Sequence, residues 1–183
     1  MTSRASQSKA ETRGATLLEL ILYVALVAFI LLAATSFAFE LSLTRVKNLA
    51  LEETSRNARF AVSRIATEVR EASDINIGSS SFGSHPSVLS LATASAPTNP
   101  TVFSVSGSTL NITQGAGSAV ALTSPKVEVI EFIVTDLSTA GKTKAYRIHL
   151  RLRYANPSSL QSFNADYTFE TTAHIQKADG FSI

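Results

Sequence analysis

The sequence predicts an α+β protein. One long N-terminal α-helix, its first half of membrane-crossing length, should pack by its second half on an antiparallel β-sheet head. Three observations predict this arrangement. No glycine or proline, the strongest helix punctuators, occurs between Ala15 and Ile77. Leu20 to Phe39 contains no charged residue. Beyond residue 87 the apolar spacing changes from the helical period to a period of two.

Taken in order, residues 1–14 form a short leader with Arg4, Lys9 and Arg13 against Glu11. Residues 15–39 carry the apolar run, whose twenty-residue stretch spans about 30 Å as a helix, the thickness of a hydrocarbon core. A cleaved secretory signal has a shorter apolar region of about 7–15 residues, so this run reads as retained. Residues 40–72 continue as an amphipathic helix. Ala58, Ala61, Val62, Ile65, Val69 and Ala72 share one face, and Glu52, Arg56, Arg59, Arg64 and Glu68 take the others. A continuous helix from 15 to 72 is about 87 Å long.

Residues 73–87, with Gly78, Gly83, Pro86 and many serines, read as a loop. Residues 88–183 form the β-rich head. Val102–Val105 and Leu110–Thr113 flank a Ser-Gly-Ser turn signal and predict a hairpin. Val127–Thr135 is apolar on both faces, as in a central strand. Tyr146–Tyr154 alternates Ile148, Leu150, Leu152 and Tyr154 against Arg147, His149, Arg151 and Arg153. Ala165–Ile175 alternates as well, with Tyr167, Phe169, Ala173 and Ile175 opposed to Asp166, Glu170 and His174.

Length and composition set bounds on function. The 183 residues hold one ordinary domain and an anchor. Without cysteine, the head must stand on its packed core rather than on disulfides. The net charge of +2 resides in the first fourteen residues, leaving the remainder balanced, which argues against a globally basic nucleic-acid binder. Basic residues flank the apolar run on both sides, so the positive-inside rule leans only slightly to a cytoplasmic N-terminus.

The stretch Arg13-Gly14-Ala15-Thr16-Leu17-Leu18-Glu19 puts a glycine at the charge-to-apolar boundary and a carboxylate inside the membrane-length helix. A charge at the centre of such a helix costs about 2.5–3.5 kcal/mol on insertion scales, and less near an end. These residues and the apolar helix resemble the N-terminus of type IV pilins and pseudopilins. The resemblance implies cleavage by a prepilin peptidase between Gly14 and Ala15, N-methylation of Ala15, and a glutamate, Glu19, at the fifth mature position. The commonest first mature residue in the family is Phe or Met; here it is Ala15. Ser55–Ala61 and Arg64–Arg70 look like the helical segment of J-type pseudopilins and W-type minor pilins.

The function so implied is that of a minor pilin or pseudopilin, a structural subunit of a type IV pilus or a type II secretion pseudopilus. Its expected partners are the prepilin peptidase, other pilin or pseudopilin subunits, the inner-membrane assembly platform and membrane lipid. The expected location is the inner membrane, single-pass with a cytoplasmic N-terminus, followed by the filament. Physical reasoning supports the motif. Glu19 would stand about 6 Å along the axis from the new Ala15 amine, so staggered parallel helices can pair one subunit's carboxylate with a neighbour's amine and fix register.

A membrane-tethered extracellular binding module, for DNA uptake or adhesion, is the alternative. Its candidate partner-binding face is Arg147, His149, Arg151 and Arg153. Competing with it is a solvated strand face whose charges pair across to Glu131, Asp166 and Glu170. That face lacks interleaved aromatics for base stacking, so a nucleic-acid partner is disfavoured though open. Ala140-Gly141-Lys142-Thr143 resembles the end of a P-loop, but the required upstream glycine is Asp136 and a strand follows instead of a helix. Gly115-Ala116-Gly117 reads as a flexible turn. His85, His149 and His174 lack zinc spacing, and no nucleophile–base pair is recognisable. The expectation is no catalytic residue, no metal and no cofactor.

Overall fold

Helix α1 runs from Leu17 to Glu71. The computed structural model describes residues 16–139, 144–156 and 164–176. The chain divides into two compact units, Met1–Leu43 and Thr44–Ile183. α1 supplies the described part of the first and the opening of the second.

Within the first unit the apolar run is unpacked. None of its most apolar eighteen-residue window is buried, and Leu20, Val24, Phe29 and Leu32 are all more than half exposed. By length and composition this helix is sufficient to cross a membrane. Thr35, Ser36 and Ser42 turn their hydroxyls back onto helix carbonyls three or four residues earlier, so these polar groups are satisfied within the helix.

In the second unit the helix is amphipathic as expected. Ala58, Ala61, Val62, Ile65, Val69 and Ala72 are almost fully buried in the core cluster. Glu68 departs from the expectation: it is 8% exposed, and its Oε1 pairs with Arg64 Nη2 at 2.6 Å. Helical arithmetic explains this, because seven residues are nearly two turns and place Glu68 beneath Ala61.

The head holds two antiparallel sheets, not one. The first has the order β1 (Asp74–Ile75), β2 (Leu89–Ala92), β3 (Thr101–Ser106), β4 (Thr109–Gln114) and β5 (Val120–Ala121). The second has β6 (Val127–Asp136), β7 (Ala145–Tyr154) and β8 (Asp166–His174). Helix α1 and both sheets share one core: Ile65 and Val69 join Leu89, Leu91, Phe103 and Leu110 from the first sheet, and Phe132, Ile148, Leu150 and Leu152 from the second. The expected hairpin of Val102–Val105 and Leu110–Thr113 is present as β3–β4, turning at Gly107 with φ +61°. The stretch expected to be a loop, 73–87, contains β1, a 3-10 turn at Ile77–Ser79 and a bridge from Ser81 to Val88.

The expected central strand is instead an edge strand. β6 pairs only with β7 in the three-stranded order, and β7 is central. A bulge between Val129 and Glu131 accounts for the two-faced pattern. Ile130 is the extra residue, so Val127 and Val129 face the core before it and Phe132 and Val134 after it. The far edge of β6 is closed by the preceding loop. Ser87 and Gly83 N–H groups donate to the Phe132 and Val134 carbonyls, both at 2.9 Å. In return Phe132 N–H donates to His85 Nδ1, and Val134 N–H to Ser87 Oγ, again at 2.9 Å. This cover removes the usual hazard of an open edge.

Candidate functional site

The described helix begins one residue after Thr16, and local hydrogen bonding explains why. Thr16 Oγ1 accepts from the Glu19 backbone N–H at 3.3 Å, in the Thr-x-x-Glu spacing of a capping box. Glu19 lies in the first turn, where the helix dipole favours a carboxylate, and its Oε1 accepts from the Tyr23 hydroxyl at 3.3 Å. One residue therefore carries two roles: it helps start the helix and it presents a carboxylate at the edge of an unpacked apolar run. Gly14 and Ala15 lie outside the described residues.

The stripe on β7 takes shape from strand alternation. Tyr146, Ile148, Leu150 and Leu152 are buried, and Arg147, His149, Arg151 and Arg153 point the other way. Each of these four side chains meets a carboxylate of a neighbouring strand. Arg147 Nε stands 3.2 Å from Glu170. His149 lies between Glu131, at 3.2 Å from Nε2, and Glu170, at 3.6 Å from Nδ1. Arg151 reaches Asp166 at 2.8 Å and Glu131 at 3.7 Å, and Arg153 Nε reaches Asp166 at 3.0 Å. Glu128 sits opposite Arg153 in register. Burial raises the Asp166 carboxyl, but the hydrogen bonds from Arg153 and Arg151 outweigh it and hold that group below its ordinary value.

The alternating Arg/His residues thus form a charge-balanced ladder across three strands, the arrangement expected of a solvated face, rather than a field that attracts polyanions. Cross-strand pairs of this kind fix register and add only modestly to stability.

Two further contacts tie the helix and β1 to the second sheet. Lys144 pairs with Asp74, the hydrogen bond lowering the carboxyl and raising the ammonium from their ordinary values. Arg59 and Ser55 on α1 hydrogen-bond Tyr167 on β8 and lower its phenol. Neither contact was legible from local sequence, since the partners lie far apart in the chain.

The other sequence signals resolve simply. Residues 140–143, the P-loop look-alike, lie outside the described residues, and strand β7 follows them. Gly115 adopts φ +55°, and a Cβ there would come within 2.3 Å of the Pro97 carbonyl oxygen, so that glycine is a requirement of close packing. Among the described residues no group of three or more potential metal ligands is brought together. The chain matches no family model, no characterised protein and no solved structure.

Proposed function

We propose that the chain is a minor pilin or pseudopilin resembling the J/W type, a structural subunit that enters a type IV pilus or type II secretion pseudopilus through its N-terminal helix. The observation that carries this reading is the unequal use of one helix. Its apolar run is wholly unburied, while the following turns are the central rod of a folded head. A helix of that kind suits lipid first and a bundle of like helices afterwards. Glu19, held in the first turn beside Tyr23, supplies the charge that would meet a neighbour's terminal amine once Gly14 is removed.

On this reading residues 1–14 are cytoplasmic, the peptidase cuts before Ala15, and the head lies outside the inner membrane. Mass spectrometry of the membrane-extracted protein should find an N-methylated Ala15 terminus. An intact Met1 in cells with active peptidase would overturn the proposal. The tethered binding module is the weaker reading, because the cations it would use are already matched by Glu131, Asp166 and Glu170.

A further inference from the structure

A groove of 280 Å³ lies in the second unit between α1 and the second sheet, lined by Val46, Leu49, Ala50, Glu53, Lys126 and Tyr154. Its volume lies just below the range for small-molecule sites, about 300–1,000 Å³, and suits a group of headgroup size. Helical spacing makes its first wall, since 46, 49, 50 and 53 share one side of α1. Sheet structure fixes its second wall. The Lys126 carbonyl accepts the Ala155 N–H at 2.7 Å, pinning the approach to β6 beside the end of β7.

The groove holds two opposite charges that do not pair with each other. Lys126 makes no ion pair among the described residues. Among the described residues the Glu53 carboxylate accepts the Asn57 amide, at 3.2 Å, which leaves it further acceptor capacity. Around them Leu49 is 65% exposed, giving the groove an apolar lip. Val46 follows Phe39, the last residue of the apolar run, by only seven positions on the same helix.

We infer that this groove binds the headgroup of an ethanolamine phospholipid, with the phosphate on Lys126, the primary ammonium on Glu53 and the glycerol region against Leu49 and Val46. A zwitterion with a hydrogen-bonding ammonium satisfies both charges at once. A quaternary choline offers Glu53 no donor, and a glycerol headgroup offers it no positive charge. The inference rests on the membrane-anchored reading above.

The test uses the full chain in detergent, titrated with dioleoyl phosphatidylethanolamine, phosphatidylcholine or phosphatidylglycerol and followed by native mass spectrometry. One ethanolamine lipid should be retained with about tenfold preference, the scale of one charge-assisted contact. Lys126→Glu and Glu53→Gln should each remove that preference with thermal melting unchanged, and Glu53→Lys should turn it towards phosphatidylglycerol. Equal retention of all three lipids, or a preference surviving both single substitutions, would overturn the inference. So would water-soluble phosphoethanolamine binding as tightly as the lipid, or a second copy of the chain closing the groove. Failure of the membrane reading shows separately, as release of the chain into the carbonate-soluble fraction.

Discussion

Asp166 stands at the start of β8 and pairs with two guanidinium groups of β7, those of Arg151 and Arg153. Its carboxyl is depressed below the ordinary 3.8, so the stabilisation is present above that value and is lost as pH falls through the lower folded value. Asp74 follows the same sense through Lys144. Asp166→Asn should therefore cost the head no more than about 1 kcal/mol at neutral pH, the ceiling for exposed pairs. It should also flatten the decline of the urea midpoint below about pH 4. An unchanged acid limb would show that Asp166 does not titrate as its position implies. Glu68 teaches a related lesson at the same scale: a charged residue on an apolar helix face is tolerated when its partner lies one turn back, here Arg64.

Among the elements, β6 shows how one extra residue redirects a strand. The sequence has apolar residues on both parities, and a strand without irregularity would need apolar cover on both faces. The bulge at Ile130 resolves the pattern by switching the phase, leaving Val127, Val129, Phe132 and Val134 all facing inward. Deleting Ile130 removes the extra residue and leaves a plain alternation, with Val127, Val129, Phe132 and Val134 on the inner face and Glu128, Glu131 and Ile133 on the outer one. The head should therefore stay folded, with a loss in equilibrium denaturation of only about 0.5–1 kcal/mol, the low end for a single change. A loss of about 3–6 kcal/mol, the cost of turning two large side chains outward, would show that the bulge itself and not the alternation holds these residues inward. The helix element was read almost whole from spacing, because a period of 3.6 is local information. The bulge was not, because it is defined only against the partner strand.

For the molecule as a whole, charge and apolarity are divided between regions. The apolar surplus is concentrated in the first part of α1, and the head balances its charges strand against strand. Reversing Arg147, Arg151 and Arg153 to glutamate would set three new carboxylates beside Glu128, Glu131, Asp166 and Glu170. The head should then lose thermal stability at low salt and recover part of it at high salt, where exposed repulsion is screened. A melting temperature indifferent to both the substitutions and the salt would show that the ladder is structurally idle, and would return weight to the binding reading.

The sequence by itself determined the long helix, its division into an apolar run and an amphipathic remainder, the β3–β4 hairpin and the alternation of β7 and β8. All of these are periodicities carried by neighbouring residues. Only the tertiary structure decided that the head has two sheets, that β6 lies at an edge closed by His85 and Ser87, and that the basic stripe is neutralised. It alone also brought Glu53 and Lys126 to opposite walls of one groove. Such facts depend on which strand lies beside which, and that choice is made by burying a shared core between elements far apart in the chain.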